Sequence, residues 1–322
     1  MYTFYTNDSL NIIICKNNLG KMAALGGTRI IPGISLSNAI IMVKNLARAM
    51  TYKCAIAGVP YTGGKAIITV EKSEDVFAEY GALLESLRGG FITGEDIGVN
   101  KEDLDVISKY SHYVTRNSSA EATAEGIYAS MLVCVTKKFG TTRSLADMTI
   151  MVQGVGKVGL QLVKKLSALG SKLIIVDTNE KLAFSVAEEY RASVIHPSNV
   201  LYTACDIFAP CALGGILNSQ SALDITTQII CGSANDQIVE SETDDVLHIL
   251  QERGILYAPD FVVNAGGVLS AVRDSLQLSE WQDKNIGECI TDNLQLVFSS
   301  AELYSINVVE AASRLAEDRI SR

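Results

Sequence analysis

From residue 148 onward the chain alternates short, continuously apolar runs with longer segments whose apolar residues recur every three or four positions. Met148–Gln153 and Lys172–Asp177 are of the first kind and predict strands, while Lys157–Leu169 and Glu180–Tyr190 are of the second and predict helices. Further short apolar runs at Asp206–Ala209, Gln228–Cys231, Ile255–Tyr257 and Phe261–Val263 extend the series. Strands that are apolar throughout, rather than at every second position, are covered on both faces, which is the mark of a doubly wound parallel sheet. Before this region the pattern is mixed. Asn11–Cys15 and Ala66–Glu71 predict buried strands, and Leu36–Met50 and Ser73–Leu87 predict helices, with Ser35, Ser37 and Ser73 placed to cap them. A helix over Thr123–Phe139 stops at Gly140, and helices over Gly287–Tyr304 and Val308–Arg319 close the chain. The expectation is two α/β domains, residues 1–122 and 123–322, a number that 322 residues readily support.

Composition narrows the class of protein. A formal charge of −9 with no basic run argues against a nucleic-acid or anionic-membrane partner. Seven cysteines form no Cys-x-x-Cys pair and lie mostly inside apolar runs, as in Ile13-Ile14-Cys15. Cysteine used as a small buried residue fits a reducing, cytoplasmic setting. His112, His196 and His248 are too scattered to suggest a metal site. The first residues lack the basic start and apolar core of a signal peptide, and no apolar stretch reaches membrane-spanning length.

One segment adds chemistry to the second domain. The predicted strand Thr149–Gln153 runs into Gly154-Val155-Gly156-Lys157-Val158-Gly159 and then the helix, with Asp177 at the end of the next strand. The bare glycine spacing is weak evidence, but strand, turn, helix and acid in this order form a dinucleotide fingerprint. Gly154 permits the tight turn, Gly156 lets a pyrophosphate approach the backbone, and Gly159 allows close helix–strand contact; Lys157 and Val158 open the helix whose N–H groups face the phosphates. A carboxylate at Asp177 accepts hydrogen bonds from a ribose 2′-hydroxyl and repels a 2′-phosphate, which favours NAD over NADP.

The first domain holds two lysines among uncharged neighbours: Lys53 in Met50-Thr51-Tyr52-Lys53 and Lys65 in Gly63-Gly64-Lys65-Ala66. Lysine is costly to bury unless paired or neutral. The pair therefore suggests a site where one amine binds an anion and the other serves as a base; the plainer reading is two surface lysines beside turns.

Taken with the fingerprint, the chain resembles the glutamate/leucine/phenylalanine/valine family of amino-acid dehydrogenases, most nearly its leucine/phenylalanine/tryptophan branch. The matching stretches run in the family's order: Leu25-Gly26-Gly27-Thr28-Arg29, Met50–Lys53, Gly63–Ala66, Thr93-Gly94-Glu95-Asp96, Val152–Gly156, Pro210-Cys211-Ala212-Leu213-Gly214 and Ala258–Gly267. The resemblance implies a substrate-binding and oligomerisation domain followed by a Rossmann-type NAD-binding domain, with the active site in the cleft between them, in a homo-oligomer. It implies NAD-dependent oxidative deamination of an L-amino acid to the 2-oxo acid and ammonia. Lys53 would bind the substrate α-carboxylate. Lys65 would be the catalytic amine, kept neutral by burial and the Lys53 ammonium, and Asp96 would exchange a proton with the amino group. Gly26 and Gly27 would approach the reacting carbon, and Asn264 would orient substrate or nicotinamide. Thr123, Cys211, Ala212, Ala234 and Asn235 would border the cofactor. Each has a plainer alternative: Asp96 as the cap of a helix after Gly98 with Glu95 as the acid instead, Asn264 as a helix cap, and Thr28 and Arg29 as structural residues.

Leucine-type members carry alanine where this chain has Gly94, and members acting on phenylalanine or tryptophan carry glycine, so the resemblance implies an aromatic or large apolar substrate. The chain departs from the family in a shorter segment before Gly26, which implies a missing or shortened strand. It also departs in a reduced loop at Arg116–Glu121, in Ser270-Ala271 for the usual Asn-Val, and in ending at Arg322 where relatives continue. These departures leave two alternatives to ordinary deamination: an imine or oxo-acid step in a specialised pathway, and a non-catalytic dinucleotide-binding subunit.

Overall fold

The segment Thr62–Ile68 is buried at every position and forms a strand, so Lys65 stands at the middle of a strand and not beside a turn. The apolar run alone predicts a start at Ala66. Gly63 and Gly64 carry no side chain for a hydrophobic pattern to register, and a Cβ on Gly63 would lie 2.0 Å from the backbone nitrogen of Thr51. The computed structural model describes residues 1–19, 22–115, 119–276 and 278–321. Contacts divide the chain into two units: 1–118 with 268–283 and 316–322, and 119–267 with 284–315. The sequence pattern places a single boundary at 122/123; the units divide at 118/119 and return two later segments to the first.

The first unit is built on five strands, β1 (Tyr2–Thr6), β2 (Ile12–Asn17), β3 (Ala24–Ile30), β4 (Thr62–Ile68) and β5 (Phe91–Gly94), ordered β1-β2-β4-β3-β5. β1, β2 and β4 run antiparallel, and β4, β3 and β5 parallel. Helix α1 (Leu36–Ala57) covers one face, where Ala39, Val43 and Ala47 meet Ile13, Cys15 and Ile67. Helices α2 (Glu74–Ser86) and α3 (Lys101–Ile107) cover the other with Phe77, Tyr80, Leu84, Leu104 and Ile107. Ser35 and Ser73 cap α1 and α2, accepting from Asn38 and Val76 N–H. Helix α1 runs past Met50 to Ala57 and stops at Gly58 in the left-handed region (φ 70°), so Lys53 is helical. The low-propensity stretch Thr51-Tyr52-Lys53-Cys54 is helical because Thr51 and Cys54 are buried against the sheet, and packing outweighs intrinsic preference. Of the reduced loop Arg116–Glu121, residues 116–118 lie outside the described residues.

The second unit opens with α4 (Ala120–Phe139), ended by Gly140. Its sheet is all parallel: β6 (Thr149–Gln153), β7 (Lys172–Val176), β8 (Ser193–Val194), β9 (Ile207–Pro210), β10 (Ile229–Ile230) and β11 (Leu256–Tyr257), ordered β11-β10-β9-β6-β7-β8. The chain works outward from β6 to one edge and then crosses back to β9, which makes the β6/β9 boundary the topological switch of a Rossmann-type sheet. Helices α5 (Lys157–Leu169), α6 (Glu180–Tyr190), α7 (Ser219–Asp224) and α8 (Thr243–Glu252) alternate with the strands. Met151, Ile174, Phe208, Ile230 and Tyr257 share one core with Val246 and Leu250 of α8. Phe261–Val263, which continues the strand-like series in sequence, is instead the helical turn α9 (Asp260–Val263). A three-residue apolar run has no period to distinguish the two, and Pro259 supplies a φ of −57° suited to helix entry. Helices α10 (Gly266–Ser270), α11 (Ile286–Tyr304) and α12 (Val308–Ser321) follow, α12 passing into the first unit at residue 316. No helix among the described residues is long and apolar enough to cross a membrane.

Candidate active site

Strand period and register decide which side chains share a face in the first unit. Lys65 is two residues from Ile67, which faces α1; Arg29 pairs with Ile67, and Gly27 pairs with Gly94. Lys65, Arg29, Gly27 and Gly94 therefore lie on the α1 side. Thr28 and Thr93 lie on the other, where their hydroxyls meet at 2.6 Å and Thr28 also bonds Tyr80. The segment after β5 folds back across β3, with Val99 N–H donating to the Asp96 carbonyl at 3.0 Å and Ile30 N–H to the Ile97 carbonyl at 2.9 Å. A Cβ on Gly27 would come within 2.9 Å of Asp96 Cβ, so the missing side chain is what lets Asp96 lie over the strand.

There the Asp96 carboxylate receives two cations. Lys65 Nζ lies 2.7 Å from Oδ2 and Arg29 Nε 3.0 Å from the same oxygen, while Arg29 Nη2 reaches Oδ1 at 3.4 Å. The three side chains are 9% (Lys65), 19% (Arg29) and 18% (Asp96) exposed. Burial alone would raise the Asp96 carboxyl, but the Lys65 and Arg29 charges outweigh it and hold the group below the usual carboxylate range. Asp96 is thus a carboxylate at neutral pH, an acceptor in charge-assisted bonds. It caps no helix: Asn100 caps α3, its side chain accepting from Asp103 N–H at 2.9 Å. Lys53 is half-buried, four residues from the end of α1. Gly26 and Gly94 also have reasons within the unit, since added Cβ atoms would lie 1.9 Å from the Gly64 carbonyl oxygen and 2.5 Å from Thr115 Oγ1 respectively.

In the second unit the glycine turn follows β6 at the switch point, as its sequence implies. Gly154 has a φ of 89°, and a Cβ there would meet the Ala212 backbone at 2.8 Å. Gly159 abuts the Gly154 carbonyl, and the space around Gly156 is open. No side chain caps α5, which begins at Lys157 and Val158 with its first N–H groups directed at that space. Asp177 braces the turn: Oδ2 accepts Val155 N–H at 2.9 Å and Oδ1 accepts Asn179 N–H at 2.8 Å. Each oxygen keeps lone-pair capacity for a ribose hydroxyl. Cys211 N–H donates to the Gln153 carbonyl and Ala234 N–H to that of Pro210, which places Cys211, Ala212 and Ala234 beside the turn at the ends of β9 and β10. Burial pushes the Cys211 thiol up.

Asn264 is 5% exposed, and its side-chain nitrogen donates to the Ser233 carbonyl (3.2 Å) and to Asn235 Oδ1 (2.8 Å). Its Oδ1 is buried with no hydrogen-bond partner. A buried acceptor left unpaired costs about 1–3 kcal/mol, which a ligand donor such as a carboxamide N–H or an ammonium would recover. Thr123 packs close by, its Cα 2.9 Å from where a Cβ on Gly266 would sit. The residues present therefore fit a dinucleotide: an uncapped helix start, an open glycine cradle, a braced carboxylate and an orphan acceptor.

Sequence reasoning missed three features. Arg29 grips Asp96, a long-range pair that no spacing reveals. Gln153 Oε1, immediately before the turn, is a second buried acceptor without a partner. The third is a set of contacts from α12 to α1: Tyr52 donates to Glu317 at 2.7 Å, and Arg319 donates to the carbonyls of Ala55 (3.2 Å) and Ile56 (2.5 Å).

Comparison with known proteins adds names to this geometry. Residues 7–113 match the Glu/Leu/Phe/Val dehydrogenase dimerisation domain, and residues 175–322 match Glutamate/Leucine/Phenylalanine/Valine dehydrogenase. A leucine dehydrogenase from Geobacillus stearothermophilus is 37% identical over 97% of this chain and 87% of its own. An L-tryptophan dehydrogenase from Nostoc punctiforme is 35% identical over 98% of this chain and 91% of its own. The crystal structure of L-tryptophan dehydrogenase from Nostoc punctiforme superposes with a TM-score of 0.84 at 34% identity, covering 100% of this chain and 95% of that one.

Proposed function

The chain belongs to the glutamate/leucine/phenylalanine/valine dehydrogenase family, a family of amino-acid dehydrogenases that generally depend on a dinucleotide, and from that membership we propose that it uses NAD to deaminate an L-amino acid with an aromatic or large apolar side chain. The observation that carries the reading is the Lys65–Asp96 contact of 2.7 Å, buried on one face of the first unit's sheet.

The nicotinamide ring, when bound, supplies a hydride acceptor for the substrate α-carbon. Every other part of the reaction falls to this chain's own groups. Lys53 holds the α-carboxylate as a point charge. Asp96, a carboxylate, accepts a proton from the α-ammonium, leaving the neutral amine from which a hydride can depart. Loss of hydride gives an iminium carbon, and Lys65 serves as the base that takes a proton from the water that attacks it. The resulting carbinolamine loses its C–N bond as the nitrogen is protonated, releasing ammonia and the 2-oxo acid. In the second unit, Gly154, Gly156 and Gly159 with the start of α5 receive the pyrophosphate. Asp177 receives the ribose hydroxyls and disfavours a 2′-phosphate. Asn264 offers its unpaired oxygen.

The aromatic preference rests on Gly94, and Thr115 sharpens it. An alanine at 94 would displace the Thr115 hydroxyl, which donates to the Thr93 carbonyl at 3.0 Å. The dimerisation-domain match supports a homo-oligomer, and seven free cysteines support a reducing cytoplasm. NADH formation at alkaline pH across a panel of aromatic, branched and acidic amino acids tests the reading. Turnover of phenylalanine or tryptophan ahead of leucine and valine is expected. A clear leucine or valine preference refutes the substrate class, and NAD binding without turnover of any amino acid refutes the enzyme.

A further inference from the structure

Arg29 reads as structural in the sequence, and the fold sets it against the Asp96 carboxylate. β3 carries it on the same face as Lys65, one register step along, and the fork of its guanidinium takes both oxygens of Asp96. Oδ2 is shared: Arg29 Nε at 3.0 Å and Lys65 Nζ at 2.7 Å approach the same atom. A carboxylate with Lys65 as sole partner would hold that lysine's proton, the opposite of what a base requires. A carboxylate whose charge is already met by an arginine, which does not deprotonate in proteins, holds it less firmly.

We propose that Arg29 is a positioning residue: it clamps Asp96 in the plane that presents Oδ2 to Lys65, and it carries the Asp96 charge so that Lys65 can release its proton. This deepens the dehydrogenase reading and rests on it for the role of Lys65. Around Lys65, β3 contributes Arg29, and the segment after β5 contributes Asp96 and the neighbouring Glu95. β2 pairs Cys15 with Lys65, and burial pushes that thiol up to about 12, so it stays neutral. Helix α1, which covers this face of the sheet, carries a further cation, Lys53. Asp96 meets Lys65 directly, at 2.7 Å, so what else Asp96 touches bears on the lysine's behaviour.

The test compares Arg29→Gln and Arg29→Lys with the wild type in the full chain. The primary readout is the pH dependence of Lys65 acylation by an amine-reactive reagent, located by peptide mapping, which requires no turnover. Loss of the cation that shares Oδ2 with Lys65 should move the midpoint of Lys65 reactivity upward by about one to two pH units in Arg29→Gln. In Arg29→Lys, which keeps the charge but not the fork, the midpoint should stay near wild type while kcat/KM falls about tenfold. The acidic limb of the kcat/KM profile should follow the acylation midpoint. An unmoved midpoint in a folded Arg29→Gln overturns the charge role, and wild-type kcat/KM in Arg29→Lys overturns the clamp. If Arg29→Gln does not fold, the Lys variant still decides the clamp. A wild type that turns over no amino acid while its midpoint shifts on substitution would sink the dehydrogenase reading and leave the Arg29–Lys65 linkage standing.

Discussion

Replacing Asp96 by asparagine keeps the shape of the side chain and removes its charge, which isolates what the ion cluster contributes to the first unit. In the wild type two charge-assisted contacts, 2.7 Å to Lys65 and 3.0 Å to Arg29, meet on one oxygen. Without the carboxylate the two cations face each other with no countercharge between them. Breaking a buried pair by removing one partner costs about 3–5 kcal/mol, and with roughly a fifth of Arg29 and Asp96 exposed the lower figure, about 3 kcal/mol, is the expectation. The pH dependence follows from the direction of the Asp96 shift. The folded carboxyl titrates below its unfolded value, so its contribution is complete above about pH 4 and is lost as pH falls through the folded value. Stability of wild type and Asp96→Asn should therefore differ most at neutral pH and converge in acid. The chain's single tryptophan, Trp281, is 6% exposed and belongs to the first unit, so its fluorescence follows unfolding of that unit. At pH 7 the urea midpoint should fall by about 1–2 M. A neutral-pH difference below about 1 kcal/mol would show that solvent already screens the cluster. A difference that persisted unchanged in acid would show that packing, and not charge, is what asparagine disturbs.

The second unit was largely legible in the sequence because its strands are continuously apolar and its helices strongly periodic, and the boundaries of Lys157–Leu169 and Glu180–Tyr190 match the structure. The glycine fingerprint lies on adjacent residues, so spacing alone could assemble it. The first unit was harder to read. β3 and β5 contain Gly26, Gly27 and Gly94 beside threonines that face a buried hydroxyl cluster, so neither strand shows an apolar run or clean alternation. Lys65 was visible as an odd charge in apolar company, but its counterion was not. Arg29, Lys65 and Asp96 are far apart along the chain and meet only through sheet register, a long-range pairing that local pattern does not encode. Spacing sets Lys53 near Lys65 along the chain, but only the fold brings the Asp96 carboxylate into direct contact with it.

Other substitutions probe the remaining parts of the site. Lys65→Ala should lower kcat by at least about a hundredfold with cofactor binding retained, whereas Lys53→Ala should chiefly raise the substrate KM; kinetics with the best substrate of the panel distinguish them, and normal turnover in Lys65→Ala would remove it from the mechanism. Gly94→Ala should lower the phenylalanine-to-leucine ratio of kcat/KM about tenfold, because the new methyl group must displace Thr115, and an unchanged ratio would detach Gly94 from specificity. Asp177→Ser should raise the KM for NAD and relax exclusion of NADP. It should also loosen the turn through loss of the Val155 bond, so weaker binding of both dinucleotides by the same factor would mean that bracing is its whole role. The last prediction concerns Arg319, which donates to two carbonyls at the end of α1, the helix that carries Lys53. The Ala55 carbonyl also accepts the capping N–H of Gly58 at 3.0 Å, and a cation beside these last carbonyls meets the negative end of the helix dipole, so Arg319→Ala should cost about 1 kcal/mol. If α1 transmits that loss to Lys53, the substrate KM should rise with little change in kcat; a stability loss with unchanged KM would confine Arg319 to holding the helix end.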